Sequence, residues 1–218
     1  MTIKVFDNSI KPELITLIER TLYCPRTSWN IPGKGFTTTN VSNLKERMIK
    51  NIQIVDSWQF VHSICADGKI LSNLHPLITD MILDWLSRHL SLKGEEVGGG
   101  IPINLLRIKA NLMPLQKVLP EKEIFYNPPH FDPIPPDLSS TNQKMIIFLY
   151  YVNESDGDTF FFKDYLDVNI EKRISPKKGR VVLFDGEHCH ASSPPQQTKS
   201  RCVINANILC PFKVEDIG

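Results

Sequence analysis

The spacing of apolar residues changes period about midway along the chain. From Lys11-Pro12-Glu13, Leu14, Ile15, Leu17, Ile18 and Leu22 recur on one helical face. Pro and Glu in the opening turn suit a helix start. A second helix is predicted from about Pro76 to Leu92, with Ile78, Met81, Ile82, Trp85 and Leu86 on its stripe. Between them, Ile52 to Cys65 is rich in Ile, Val, Trp and Phe and predicts a strand pair. After Gly98-Gly99-Gly100 the texture becomes that of strands: Ile103–Leu112, Lys144–Asn153, Thr159–Phe162, Arg180–Phe184 and Arg201–Leu209, separated by Pro, Gly, Asn and Asp. Such runs without long helical patterns between them predict an antiparallel sandwich or jelly roll. Met145 to Tyr151 is apolar on both faces, as in a central strand covered on both sides. Ser155-Asp156-Gly157-Asp158 reads as a turn and, with Thr159-Phe160-Phe161-Phe162, as a hairpin. The expected fold is therefore α+β, mainly β. It is one domain over 1–218, with a helical support region containing some strands over 1–100 and a double-stranded β-helix (jelly roll) over 101–218.

Charge and composition narrow the functional classes. Lys and Arg number 25 against 24 Asp and Glu, a net +1. That argues against a protein held to nucleic acid mainly by neutralising phosphates. No apolar run reaches the ~18 residues of a membrane span. MTIKVFDNSIKPE lacks a signal-peptide core, so a cytoplasmic location is expected. Five cysteines, an odd number without a CxxC, suggest reduced thiols rather than a disulfide framework or a structural zinc site. His62, His75 and His89 are isolated from other ligand types and read as structural.

The chemistry concentrates in two places. In Pro128-Pro129-His130-Phe131-Asp132-Pro133, residues 130 and 132 point the same way if the chain is extended, so both can reach one metal. Alone, the pair could simply decorate a proline-rich loop. Glu187-His188-Cys189-His190 offers a third ligand. His188 and His190 have the same strand parity, and either completes a set of two histidines and one carboxylate. That set suits non-haem Fe(II), with the opposite coordination face open. Cys189 falls on the other side of the strand and reads as packing. Farther on, Arg201, Val203, Asn205 and Asn207 share one strand face, against Cys202, Ile204, Ala206 and Ile208 on the other. Buried polar groups need partners, and the arginine fork matches a carboxylate. The alternative is a polar edge facing solvent.

These pieces resemble the 2-oxoglutarate/Fe(II)-dependent dioxygenases, close to the prolyl 4-hydroxylase-like branch with its phage and marine bacterial members. The matching pieces, in order, are His130-x-Asp132; Tyr151-Val152-Asn153 leading to Gly157-Asp158-Thr159; Pro176-Lys177-Lys178-Gly179-Arg180; Phe184-Asp185-Gly186 with His190; and Arg201 with Asn205. The resemblance implies that His130, Asp132 and His190 bind Fe(II), leaving His188 as a neighbour. It implies that Arg201 pairs with the distal carboxylate of 2-oxoglutarate and that Tyr151 donates to the same group. Thr159 matches the threonine of a Gly-Gly-x-Thr turn, with Asp156 in place of the first Gly. Asn111 stands where relatives often carry tyrosine, and it joins Asn205 among the implied co-substrate contacts. Tyr126 either flanks the entrance or packs the loop.

Two features separate the chain from neighbouring branches. Arg201 stands where collagen-type enzymes use lysine, and Asn207 where nucleic-acid demethylases carry a second arginine. Asp132, absent from halogenating relatives, points to hydroxylation. The expected activity is hydroxylation of a C–H bond using Fe(II), 2-oxoglutarate and dioxygen, with release of succinate and CO2. The expected substrate is a peptide, protein or small molecule, a prolyl residue among them, with no nucleic-acid or membrane partner. A nucleic-acid-directed oxygenase and a non-catalytic jelly-roll module with a residual metal site are the competing readings. Oligomeric state is not readable.

Overall fold

The computed structural model describes residues 2–31, 52–55, 57–90, 103–116, 124–164 and 167–218. The Gly98-Gly99-Gly100 boundary lies outside them. In chain order the elements are β1 (Ile3–Phe6), α1 (Pro12–Leu22), β2 (Ile52–Ile54), β3 (Phe60–Ala66), β4 (Lys69–Ile70), α2 (His75–His89), β5 (Asn104–Pro114), β6 (Ile124–Tyr126), β7 (Lys144–Tyr151), β8 (Thr159–Asp164), β9 (Asp167–Ile174), β10 (Val181–Asp185), β11 (His190–Ser192) and β12 (Ser200–Cys210). They form a seven-stranded sheet in the order β1-β10-β7-β12-β5-β3-β4, a three-stranded sheet β11-β8-β9, and a parallel pair β2-β6. Predominantly antiparallel strands in two sheets, with helices outside, make the jelly roll that the strand texture predicts.

β7 explains the architecture. It lies between β10 and β12, with all of Met145–Tyr151 buried. Its residues 146, 148 and 150 join Ile18, Leu22, Trp85 and Leu86 of the helices in the outer core. Its residues 145, 147, 149 and 151 join Phe161, Val182, Phe184 and Val203 between the sheets. Trp85 is fully buried, meets Phe148 edge-on at 5.3 Å, and donates from Nε1 to Ser9 Oγ at 2.8 Å. That bond satisfies the one polar atom such a side chain brings into a core.

α1 begins and ends as its sequence pattern predicts. α2 stops at His89, because Leu90 turns into extended backbone (ψ 104), so the helix ends short of Leu92. Two pairings differ from expectation. β2 and all but the last residue of β3 fall within Ile52–Cys65, but the two do not pair with each other: β2 runs parallel to β6, and β3 pairs with β4 and β5. Likewise β7 and β8 are not a hairpin. The Asp156 carboxylate accepts from the backbone N–H groups of Gln196, Gln197 and Thr198, and the Asp158 N–H donates to Ser193 Oγ at 2.9 Å. These anchors turn the chain out of the large sheet, and β8 pairs with β11 and β9. No helix among the described residues is long and apolar enough to cross a membrane. None of the five cysteines is joined in a disulfide.

Candidate active site

His130 follows the Pro128-Pro129 pair, whose fixed φ angles keep the loop extended. An isolated antiparallel bridge ties it to the start of β11: His130 N–H donates to His190 O at 2.9 Å, and His190 N–H to His130 O at 3.0 Å. The two imidazoles therefore stand side by side, ring centres 4.6 Å apart. Each ring is oriented by a carbonyl. His190 Nδ1–H donates to His188 O at 3.0 Å, and His130 Nδ1–H to Pro128 O at 3.2 Å. A donor at Nδ1 fixes the neutral tautomer and leaves the Nε2 lone pair as the coordinating atom. Burial pushes the His130 pKa down to about 4, with neighbouring His190 adding to the shift, and burial likewise lowers His190. Both rings are thus held in the neutral form that binds metals.

Asp132 lies beside them, 3% exposed. Its Oδ1 accepts from Arg107 Nη2 at 2.6 Å and its Oδ2 from Asn205 Nδ2 at 3.0 Å. Burial alone would raise its pKa, but His190, Lys109, Arg107 and the Asn205 amide together hold the carboxyl well below its usual range. Among the described residues, no three His, Cys, Asp or Glu side chains are set to hold a metal ion as they stand, and the carboxylate is turned onto Arg107 and Asn205. The donor types nevertheless fit ferrous iron. The ring spacing also matches two imidazoles sharing one ion, since N–metal bonds of about 2.1 Å at right angles put ring centres about 4.5 Å apart.

Deeper between the sheets, Arg201 is 3% exposed. Its Nε donates to Gly157 O at 2.8 Å and its Nη2 to Thr159 Oγ1 at 2.7 Å. Its guanidinium lies 5.7 Å from the centre of the Tyr151 ring, and the Tyr151 hydroxyl hydrogen-bonds Thr159 Oγ1 at 2.7 Å. Gly157 makes the close approach possible: a Cβ there would sit 2.6 Å from Ser193 O and 3.0 Å from Arg201 Cδ. No ion pair to Arg201 forms among the described residues. A cation buried so completely, and hydrogen-bonded only to neutral groups, is set to receive an anion.

The expected co-substrate residues divide. Arg201, Tyr151 and Thr159 form one cluster. Asn205 instead bonds Asp132. Asn111 lies opposite Val203 on β5, its Oδ1 buried without a hydrogen-bond partner. His188 turns away, with Nε2 on Glu171 Oε2 at 3.2 Å, and contributes its backbone oxygen to orienting His190. Tyr126 packs against Phe160 and Phe162, where burial pushes its hydroxyl up to about 12. Cys189 lies in the same apolar cluster. Sequence reasoning alone misses Arg107 and Lys109, which act on the Asp132 carboxylate. Their signal is the alternation Arg107, Lys109, Asn111 against Ile108, Ala110, Leu112, which mirrors that of β12.

Residues 118–209 match the family model of the 2OG-Fe(II) oxygenase superfamily, a segment running from before His130 to beyond Arg201. No curated protein sequence matches the chain. Among solved structures, an oxidoreductase of the 2OG-Fe(II) oxygenase family from Burkholderia pseudomallei superposes with a TM-score of 0.58 at 11% identity, covering 97% of this chain and 85% of that one. A prolyl hydroxylase from Trichoplax adhaerens, in complex with a hypoxia inducible factor peptide fragment, gives 0.57 at 14% identity, covering 98% and 84%. HygX from Streptomyces hygroscopicus, with nickel and 2-oxoglutarate bound, gives 0.56 at 12% identity, covering 96% and 83%. At these identities the structural likeness establishes a shared fold.

Proposed function

We propose that this chain is a 2-oxoglutarate- and Fe(II)-dependent dioxygenase that hydroxylates a C–H bond of its substrate, with release of succinate and CO2. It is an enzyme of the 2OG-Fe(II) oxygenase class, using Fe(II), 2-oxoglutarate and dioxygen. The observation that carries this reading is the pairing of His130 and His190, each fixed by a carbonyl at Nδ1 and both adjacent to Asp132.

His130, Asp132 and His190 would hold the iron, with Asp132 turning from Arg107 toward the imidazoles. Arg201 would take the distal carboxylate of 2-oxoglutarate, with Thr159 and Tyr151 completing the cradle. When bound, the iron and 2-oxoglutarate supply the oxidising power that places an oxygen atom into an otherwise inert C–H bond. The chain's own part is to present neutral imidazoles, to keep Asp132 ionised, and to exclude water with the apolar cluster that includes Leu149, Val203 and Phe184. A prolyl residue in a peptide is the leading substrate, supported by the resemblance and by the peptide-bound hydroxylase neighbour. Free amino acids and other small molecules are the remaining candidates.

Alanine at His130 or Asp132 is expected to abolish succinate formation from 2-oxoglutarate and to weaken Mn(II) binding measured calorimetrically. Second-sphere partners of metal ligands alone typically change affinity about 10- to 100-fold, and loss of a ligand should exceed that. Wild-type turnover and metal affinity in both variants would refute the ligand assignment.

A further inference from the structure

Asp132 is held from two strands at once, and the two partners differ in kind. From β5, Arg107 Nη2 donates to Oδ1 at 2.6 Å. From β12, Asn205 Nδ2 donates to Oδ2 at 3.0 Å. One partner is a cation and the other a neutral amide.

Stability alone does not call for an asparagine at position 205. Asn205 sits mid-strand between β5 and β7 and is 5% exposed. Its amide turns the N–H toward the carboxylate, because the carbonyl oxygen in that place would face a negative charge. That orientation leaves Oδ1 buried without a hydrogen-bond partner. A buried acceptor without a donor destabilises a fold. One pleat away on the same face, Val203 is buried with an apolar side chain and carries no such cost. Among the described residues, Asp132 is the one hydrogen-bond partner of the Asn205 side chain.

Arg107 has alternatives to the carboxylate. Its Nη2 also donates to Asn207 Oδ1 at 3.3 Å, and 23% of its side chain stays exposed. Asn207 in turn touches Met145 Sδ at 3.8 Å, and Met145 walls an outward-opening cavity of about 650 Å³ with Ile134, Pro135 and Pro136. Asn207 and water can therefore replace the carboxylate at Nη2. Charge separates the two partners further. Under the oxygenase reading, on which this inference rests, Asp132 is drawn to a dication. A guanidinium beside that dication is repelled by it, whereas a neutral amide is not.

We infer that Asn205 is the positioning residue for Asp132. Its amide keeps Oδ2 while Oδ1 exchanges Arg107 for the metal, so the carboxylate is presented in a fixed orientation beside His130 and His190. Asn205 thus acts on the metal through Asp132, and not on 2-oxoglutarate as the resemblance alone implies. Arg107 is the partner that is given up.

The test is calorimetric titration of Mn(II), without 2-oxoglutarate, into wild-type protein and the variants N205L, N205A and R107M, with urea unfolding measured alongside. Leucine replaces the amide by an apolar group of nearly the same shape, and alanine serves where leucine does not fold. Loss of the Asn205 amide is expected to weaken Mn(II) binding about 10- to 100-fold. R107M should bind Mn(II) at least as tightly as wild type. W85A, destabilised in the outer core, should keep wild-type Mn(II) affinity, which separates positioning from lost stability. At saturating Mn(II), the Asn205 variants should hold 2-oxoglutarate within about threefold of wild type. Wild-type Mn(II) affinity in folded N205L or N205A overturns the inference. So does weakened 2-oxoglutarate binding at unchanged Mn(II) affinity, which would return Asn205 to the co-substrate. A loss of about tenfold or more in R107M would show that the carboxylate keeps Arg107, and an equal loss in W85A would reduce the effect to instability; either result also overturns it. Failure of wild-type protein to bind Mn(II) is a separate outcome, which removes the oxygenase reading and the inference with it.

Discussion

Replacing Arg201 by methionine tests the proposed co-substrate contact apart from the rest of the barrel. Methionine keeps much of the side-chain length and apolar stem while removing the guanidinium. In the unliganded protein the change takes donors from Gly157 O and Thr159 Oγ1, each of which costs about 1 to 3 kcal/mol if it finds no other partner. Part of that is regained, because a buried cation hydrogen-bonded only to neutral groups is itself costly. In the complex the loss is larger. Truncating one side of a buried, hydrogen-bonded charge pair costs about 2 to 5 kcal/mol, which corresponds to a roughly 30- to 5000-fold weaker Kd for 2-oxoglutarate. The assay is anaerobic calorimetry with Mn(II) in place of iron, run beside a Mn(II)-only titration. Metal affinity should be unchanged, since Arg201 makes no hydrogen bond to His130, Asp132 or His190. A Kd for 2-oxoglutarate within about threefold of wild type, in folded protein with normal metal affinity, would show that the anion pairs elsewhere.

The same cluster predicts that Gly157→Ala cannot be accommodated quietly. Its Cβ would press on the Ser193 carbonyl and on Arg201, costing about 1 to 3 kcal/mol in urea unfolding and raising the Kd for 2-oxoglutarate; unchanged values for both would contradict the packing described. Trp85→Ala, in the outer core, should cost about 3 to 5 kcal/mol of stability yet leave 2-oxoglutarate affinity intact in protein that remains folded. A loss below about 1 kcal/mol would mean that the helices contribute little to holding the sheet.

Much of this organisation is legible in local sequence because it is carried by period and parity. The two-faced run of β7, the polar face of β12 and the two helices all follow from side-chain alternation or helical spacing. Partner choice between distant segments is not legible in that way. Thr159 to Phe162 reads as the second arm of a hairpin. Its departure to another sheet is decided by Asp156 and Asp158 bonding residues 193–198, about forty positions away. β9 escapes notice because Asn169-Ile170-Glu171-Lys172-Arg173 is a polar edge strand of the smaller sheet, without an apolar run. Arg107 escapes for a related reason: its significance comes from Asp132 across the barrel, and nothing in β5 itself announces a carboxylate partner.

The reciprocal backbone bridge between residues 130 and 190 has an evolutionary consequence. Because main-chain atoms set the imidazole spacing, it does not depend on which side chains occupy the proline-rich stretch after Asp132. That stretch, through Ile134, Pro135, Pro136 and Leu138, walls the outward-opening cavity. Insertions and substitutions there can reshape what the cavity admits while the histidine pair stays put. Descendants of this chain could thereby vary that wall without disturbing the spacing of the two rings.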